Sequence, residues 1–219
     1  MPAHRDIPVE TVASILETHT ALRDRGIPID VLIPSGSSII EAARSKAANL
    51  FLQSDKTRLF WVDSDIVWNS DAFIRLLALS TQVDVVVGAY PAKKDPIQFF
   101  VNSAGQQSVA TNDLGLLPNV GTGLGFACIQ RHVMEKLAER APKLRFPDIS
   151  EPIPHIFRCD SEDGNFRGED MAFWADIRAL GIPVYLDPSI ELGHHGSKTF
   201  RATLSNHLIE VNGDNHVTP

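Results

Sequence analysis

The sequence has few of the residues that mark secreted, membrane-spanning or nucleic-acid-binding proteins. Its 219 residues include only two cysteines, Cys128 and Cys159, which lie far apart and lack metal-ligand spacing. We therefore expect two reduced thiols in a cytoplasmic protein. No apolar run approaches the roughly 20 residues that a membrane helix requires, and no charged-then-apolar leader begins the sequence. We expect a soluble, unsecreted protein without an integral membrane segment.

An excess of positive charge is also missing. Lysine and arginine together number 20 against 27 aspartate and glutamate residues, and the formal net charge is -7. No overall positive field is therefore present to hold a nucleic-acid backbone. The hydrophobic fraction of 43% is enough for a normal core. Because no repeat, low-complexity tract or linker divides the sequence, we expect one domain over residues 1–219.

The first half of the sequence alternates between helical and strand patterns. Helices are predicted over 8–25, after Ser38, and after a cap at Asn69 or Ser70. Strands are predicted over 29–33, 58–62 and 83–88. The inward face of the first helix is predicted to consist of Val12, Ile15, Leu16 and Leu22. The second helix is predicted to start with a capping box at Ser38–Glu41 and to bury Ile39, Ala43, Ala47, Leu50 and Phe51. This alternation predicts a parallel α/β sheet.

The second half has a less regular pattern. Strands are predicted over 97–101, 116–120 and 125–130, followed by a helix over 131–140. The stretch 142–167 is predicted to be a long surface excursion with one strand near 155–158, and long loops inside compact domains are often functional. A helix over 169–180 and a strand over 183–186 come next.

Two carboxylates, Asp63 and Asp65, directly follow the apolar strand pattern 58–62. One residue apart on an extended segment, they point to the same side. Like charges that close repel each other unless a cation or strong donors lie between them. The pair is therefore either a metal site or a solvated strand end that caps the next helix. At the carboxyl edge of an α/β sheet, a metal site would suit Mg²⁺ or Mn²⁺.

Other candidate residues allow both a functional and a structural interpretation. Glu169 and Asp170 begin a helix, where the helix dipole favours acidic residues, but a carboxylate there also suits a general base. His194 and His195 are imidazoles able to ligate Mn²⁺. The glycines of the stretch Gly121-Thr122-Gly123 allow close backbone approach to a ligand or a neighbouring loop. Lys93 and Lys94 follow a strand exit, where they either contact phosphate or stay solvated.

The order of these motifs resembles that of small single-domain glycosyltransferases of the GT-A fold, of the glycosyltransferase family 2-like type found in phages, large viruses and bacteria. The matching stretches are DSD at 63–65, GAYPAK at 88–93, GTG at 121–123, FACIQR at 126–131, GED at 168–170 and LGHHG at 192–196. The resemblance covers nearly the whole chain. It implies a Rossmann-like α/β domain with a mixed central sheet, with 1–95 as the nucleotide-binding half and 96–219 as the acceptor and catalytic half.

The resemblance also implies roles for individual residues. Asp63 and Asp65, completed by His194, would hold Mn²⁺ or Mg²⁺ on the diphosphate of a nucleotide sugar. Asp170 would be the base of an inverting enzyme, with Glu169 beside it. The residues expected at the donor are Pro2, Ala3, His4, Arg44, Asp63, Ser64 and Lys93. Arg44 matches the arginine of an Arg-Asn pair in the family, although Ser45 replaces the asparagine.

The resemblance leaves the acceptor open among a glycan, a protein and a modified DNA base. We expect Gly121, Thr122 and Gly123 to contact the acceptor. In the family, a buried first strand ends in a motif like that at residues 1–4, so a first strand truncated in this chain is expected.

Two other functions compete with glycosyl transfer. Residues 60–67 also match the nucleophile motif of haloacid-dehalogenase-like phosphatases, in which Asp63 would become phosphorylated. The third possibility is a non-catalytic module that binds nucleotide sugars or glycans. Such a module is disfavoured, because unpaired charge is costly to keep without a use. The sequence nevertheless retains all of the candidate charged and metal-ligating residues, namely Asp63, Asp65, Glu169, Asp170 and His194.

Overall fold

Helices and strands are distributed along the whole chain in the computed structural model, which describes residues 1–2, 6–34, 37–101, 110–118 and 121–214. The helices are α1 (Val9–Arg23), α2 (Ile40–Gln53), α3 (Ser70–Leu79), α4 (Arg131–Arg140), α5 (Glu169–Ala179) and α6 (Leu204–Asp214). The strands are β1 (Arg58–Val62), β2 (Ile66–Trp68), β3 (Val85–Gly88), β4 (Leu117–Pro118), β5 (Phe126–Gln130), β6 (Lys143–Leu144), β7 (Ile153–Pro154), β8 (Asp160–Glu162), β9 (Asn165–Arg167), β10 (Tyr185–Asp187), β11 (Glu191–His195) and β12 (Thr199–Thr203). None of the helices in these ranges has the length and apolar character needed to span a membrane.

The central sheet is mixed and has the strand order β1-β5-β3-β10-β4. Among the strands of the described ranges, only β3 and β10 form a parallel pair, whereas β5 runs antiparallel to both of its neighbours, β1 and β3. The α/β class with a mixed sheet is thus confirmed, and the purely parallel sheet expected from the alternation is wrong. Because β1, β3 and β10 point the same way, their carboxyl ends share one edge with the start of β5.

The two faces of the central sheet bury separate apolar clusters. Along β1, Trp61 faces the cluster formed with α2, α4 and α5, whereas Phe60 and Val62 face the cluster formed with α1 and α3. This alternation is the period of two expected for a strand covered on both sides. The sheet therefore lies between two helical layers, and the loops extend from the ends of its strands.

A second sheet, with the order β12-β11-β2, was not predicted. Residues 66–68, an apolar stretch directly after the aspartate pair, form β2 and pair with β11. In that register His194 lies opposite Ile66, and the backbone N–H of His195 donates to the Asp65 carbonyl at 2.8 Å. The late histidines are thus brought beside the aspartate pair by strand pairing.

The buried face of α1 differs from the predicted one. Val12 and Leu16 are exposed, and the buried positions are Thr11, Ser14, Thr18 and Leu22. The Ser14 hydroxyl donates to the Trp68 carbonyl at 2.7 Å and accepts from the Trp68 N–H at 3.1 Å. The apolar spacing was misleading because α1 docks on the backbone of β2 through hydroxyl groups.

Several other predicted features are wrong or shorter than expected. The second helix starts at Ile40 after Ile39, with no side-chain cap, and Ile39 and Leu50 are exposed. Residues 29–33, 97–101 and 155–158 form no strand; in the second range only an isolated bridge joins Phe99 to Pro91. The strand predicted over 116–120 is limited to β4, and residues 119–120 lie outside the described ranges. Cys128 and Cys159 are both free thiols, as expected.

Candidate functional site

Two cavities adjoin each other at the carboxyl edge of the central sheet. The first, here called the Arg44 cavity, has a volume of about 380 Å³. It is lined by Pro2, Ser37, Ser38, Ile40, Ala43, Arg44, Asp63, Ser64, Asp65 and Glu169. The second, here called the Tyr90 cavity, has a volume of about 770 Å³. It is lined by Tyr90, Pro91, Ala92, Lys93, Phe99, Phe100, Val101, Thr122, Gly123, Asp170, Met171 and His194.

A third cavity, of about 400 Å³, lies between α1, β1 and α3. Its walls are largely apolar and include Leu22, Phe60 and Phe73. It contains none of the residues for which a role was predicted. The Arg44 and Tyr90 cavities are the better candidates, because polar groups from several elements converge there.

Arg44, on the wall of the Arg44 cavity, forms ion pairs with a carboxylate after the end of β1 and with another at the start of α5. Its guanidinium, with 3% side-chain exposure, donates from Nη2 to Asp63 Oδ1 at 2.8 Å and lies with Nε 3.5 Å from Glu169 Oε1. Burial lowers the pKa of Arg44, but Asp63 and Glu169 outweigh that effect and raise it. Among the described residues, Arg44 Nε and Nη1 find no hydrogen-bond partner. A buried arginine with unused donors is suited to an anionic ligand.

Asp65 is paired with different cations from those of Asp63. Its Oδ2 accepts from Lys93 Nζ at 2.5 Å and lies 3.5 Å from His194 Nε2. Burial raises the pKa of Asp65, but the neighbouring His194 imidazole and Lys93 ammonium outweigh burial and lower it to about 2. Asp65 is therefore ionised at neutral pH.

His194, rather than His195, faces the predicted site. Its Nδ1 lies 2.9 Å from the Pro91 carbonyl. Because a carbonyl oxygen only accepts, Nδ1 must carry the proton that is donated there, and Nε2 is the nitrogen that faces Asp65. His195 instead directs Nδ1 toward Thr199 Oγ1 at 3.2 Å and lies 3.7 Å from Glu10. The backbone contact of His194 is the kind that orients a metal-ligating imidazole.

The two carboxylates at the start of α5 line different cavities. Glu169 faces the Arg44 cavity, and Asp170 faces the Tyr90 cavity. Burial raises the pKa of both groups above the usual values for glutamate and aspartate. Asp170 Oδ1 also accepts the Met171 N–H at 2.7 Å. A half-buried carboxylate with a raised pKa is a suitable proton acceptor for a hydroxyl in the Tyr90 cavity.

Tyr90 was not selected from the sequence, although it contributes to the wall beside Asp63. Its hydroxyl accepts the Gly125 N–H at 3.2 Å, and its ring packs edge-to-face on His194 at 5.0 Å. Burial raises its pKa well above the ordinary tyrosine value. A Cβ at Gly123 would lie 2.0 Å from the Tyr90 hydroxyl, so the glycine leaves room for this side chain. The sequence did contain a signal for Tyr90, which is its position at a strand exit. Tyr90 comes two residues after the end of β3, and Asp63 comes directly after the end of β1.

The other predicted site residues are distributed over the two cavities. Pro2 and Ser64 line the Arg44 cavity, whereas Lys93, Thr122 and Gly123 line the Tyr90 cavity. Gly121 lines neither cavity, and the atoms nearest to a Cβ there would belong to Arg178, Met171 and Trp174, at 3.8 Å. Ala3 and His4, predicted at the donor, lie outside the described residues.

Of the three predicted metal ligands, the structure brings Asp65 and His194 side by side and places Asp63 in the same cavity as Asp65. Over the described ranges, no group of three or more His, Cys, Asp and Glu side chains is arranged to hold a metal ion. Mg²⁺ is commonly held by one or two carboxylates plus substrate phosphates, and Mn²⁺ also accepts imidazole. The ligand types present are therefore of the kind that these ions use, and the metal site stays a prediction.

The fold is similar to that of a solved viral structure. The crystal structure of A197 from STIV superposes with a TM-score of 0.58 and 21% sequence identity, covering 93% of this chain and 87% of that chain. At this identity the similarity shows a shared fold and leaves the activity open. No protein family matches the sequence, and no curated protein matches it either.

Proposed function

We propose that the protein is a metal-dependent glycosyltransferase of the GT-A type, which moves a sugar from a nucleoside diphosphate to an acceptor hydroxyl. The observation that carries this proposal is the position of the adjacent carboxylates Glu169 and Asp170, one in each of two neighbouring cavities. Glycosyl transfer requires a charged donor site beside an acceptor site that holds a base. This is also the activity that the resemblance of the sequence implies.

The Arg44 cavity is suited to the anionic donor. Arg44, whose Nε and Nη1 have no hydrogen-bond partner among the described residues, lines this cavity, and so do the hydroxyl residues Ser37 and Ser38 beside the start of α2. A helix N-terminus carries partial positive charge and free N–H groups that favour phosphate. Asp63, Asp65 and His194 would hold Mn²⁺ or Mg²⁺. When bound, the cation would neutralise charge on the departing nucleoside diphosphate.

The Tyr90 cavity is suited to the acceptor. Its wall combines apolar side chains such as Phe99 and Met171 with the carboxylate of Asp170. In the proposed inverting reaction, the acceptor oxygen bonds to the anomeric carbon while the bond from that carbon to the diphosphate oxygen breaks. Asp170 takes the hydroxyl proton, provided that the acceptor lies within hydrogen-bond range of it.

The test combines donor binding with turnover. UDP-, GDP-, dTDP- and CMP-sugars are screened by thermal shift with and without Mn²⁺, because a ligand of the folded state raises apparent stability. Donors that bind are then assayed for hydrolysis and transfer. We expect Asp170→Asn to retain the thermal shift and to lose turnover by about 10² to 10⁴-fold. Asp176→Asn serves as the control, because Asp176 lies on the same helix outside both cavities.

Two outcomes would contradict the proposal. Donor binding without turnover across the whole panel would favour a non-catalytic binding module. Hydrolysis of a generic phosphomonoester that is lost in Asp63→Asn would favour a haloacid-dehalogenase-like phosphatase.

A further inference from the structure

Lys93 occupies the position beside Asp65 that a cation would be expected to take. Its Nζ lies 2.5 Å from Asp65 Oδ2, the same oxygen that His194 Nε2 approaches at 3.5 Å. The ammonium, the imidazole and the carboxylate thus meet at one point. Since both Lys93 and His194 line the Tyr90 cavity and Asp65 lines the Arg44 cavity, this point lies on the wall between the cavities.

The surroundings of Lys93 are built to keep its side chain there. A Cβ at Gly196 would lie 3.1 Å from Lys93 Cδ and 3.4 Å from its Cγ, so the glycine makes space for the lysine stem. The two residues before it are held as well, because the Ala92 N–H donates to the Gln98 carbonyl at 2.7 Å and the Pro91 carbonyl accepts from His194. The Lys93 side chain itself is 39% exposed, so its ammonium can leave Asp65 for solvent.

Each aspartate of the pair therefore has its own protein cation. Asp63 is paired with Arg44 and Asp65 with Lys93. A divalent cation at Asp65 would come within a few ångströms of the Lys93 ammonium, and like charges at that distance repel strongly in a partly buried site. The ammonium and the metal ion cannot both be close to the same carboxylate oxygen.

We propose that Lys93 is the resident counter-ion of Asp65, and that a divalent cation binds at Asp65 and His194 only by displacing the lysine ammonium. This inference rests on the proposed function for its metal but concerns binding alone. Its consequence is that the metal ion binds weakly by itself and more tightly together with a diphosphate. The diphosphate adds negative charge, which offsets the repulsion between the metal ion and the displaced Lys93 ammonium.

The test measures Mn²⁺ binding without donor or acceptor, by electron paramagnetic resonance of free Mn²⁺ during titration. Lys93→Met removes the ammonium and keeps most of the stem, and Lys93→Gln is a second neutral variant. We expect both to lower the dissociation constant for Mn²⁺ by about tenfold, since an ion pair and a like-charge repulsion are removed together. Lys93→Arg keeps the charge and should leave the constant within about twofold of the wild-type value.

Two further variants make the result specific. Lys198→Met removes a neighbouring lysine that pairs with Asp95 rather than with Asp65, and it should change the dissociation constant less than about twofold. In the double variant Asp65→Asn/Lys93→Met, the gain in affinity should disappear.

The proposal is overturned if the neutral Lys93 variants bind Mn²⁺ no more tightly than the wild type, including the case in which none of them binds it. It is also overturned if Lys198→Met gives the same gain, because the effect would then be one of general charge. Failure of the proposed function is a separate result: tighter Mn²⁺ binding without any sugar transfer would leave the role of Lys93 standing and remove the glycosyltransferase.

Discussion

Asp170 is subject to opposing effects on its ionisation. Burial is the largest effect and raises its pKa, whereas the Met171 N–H and the Arg44 charge lower it, and the net direction is upward. An ionised Asp170 is therefore less favourable in the folded protein than in the unfolded chain. A residue that costs stability in this way is typical of functional sites, where a proton acceptor is kept despite its environment.

Replacing Asp170 should therefore change stability and activity in opposite directions. Because the folded-state pKa is raised, the ionised carboxylate destabilises the fold at neutral pH, and Asp170→Asn should raise the free energy of unfolding at pH 7 by up to about 1 kcal/mol. The difference should shrink as the pH falls through the folded-state pKa and vanish where both states bind the proton. Urea denaturation of both proteins at several pH values measures this.

In the proposed reaction, the same pKa would set the pH dependence of turnover. The proposed base acts only when ionised, so kcat/KM should rise with pH through the raised folded-state pKa of Asp170. Asp176→Asn is again the control, and it should lower stability at pH 7 because Asp176 pairs with Arg158. A less stable Asp170→Asn at pH 7 would mean that the carboxylate stabilises the fold.

At the scale of elements, the segment between residues 121 and 125 is shaped by one side chain, that of Tyr90. A Cβ at Gly123 would lie 2.0 Å from the Tyr90 hydroxyl, which is far inside van der Waals contact. A Cβ at Gly121, two residues earlier, would meet nothing closer than 3.8 Å. The two glycines of the same motif therefore have different structural requirements.

Alanine substitution at these two glycines should separate them. Gly123→Ala should destabilise the protein by about 1–3 kcal/mol, the usual range for overpacking, and Gly121→Ala should change stability by less than about 0.5 kcal/mol. In Gly123→Ala/Tyr90→Phe the hydroxyl that clashes is gone, so part of the loss should return. Thermal or urea unfolding of the wild type, Gly121→Ala, Gly123→Ala, Tyr90→Phe and the double variant measures the coupling. Equal effects at both glycines would refute the assigned packing.

Elements whose signals are local were predicted well. The bounds of β1 and α4 match the prediction, and the Asn69 side chain caps α3 by accepting the Ala72 N–H at 2.8 Å. Asp63 and Asp170 could be selected as candidates because a strand exit and a helix start can be read from neighbouring residues. The contacts that these two residues make with distant parts of the chain could not be read in the same way.

Elements that depend on distant partners were missed. Strand β2 has only three residues and exists because β11, more than 120 residues later, pairs with it. The polar face of α1 follows from the same cause, since its serine and threonine hydroxyls bond to groups of β2. The contact between Lys93 and Asp65 likewise requires the hairpin of β11 and β12, whose Gly196 leaves space for the lysine.

At the scale of the whole molecule, Cys128 lies at the centre of the fold. It is on β5, opposite Phe60 of β1 on one side and Val86 of β3 on the other, and it is fully buried. Burial raises the pKa of its thiol to about 11. Cys159 is exposed, but its hydrogen bond to Glu41 raises its pKa to about 11 as well. The two thiols therefore differ in access and share a low thiolate fraction at neutral pH.

Cys128 should consequently report loss of the helical layer over this face of the sheet. Its fully buried side chain lines the third cavity, beneath α1 and α3. We expect a thiol reagent to reach the sulfur only when this layer leaves the sheet, so in a Cys159→Ser variant labelling should proceed at a rate set by global unfolding. When the protein opens and closes faster than the reagent reacts, the labelling rate follows the population of the open state. A donor that binds the folded protein with Mn²⁺, added at 100 times its dissociation constant, should slow labelling by about 100-fold. Labelling that a bound donor leaves unchanged would show that Cys128 is reached by a local opening that does not disturb the two cavities.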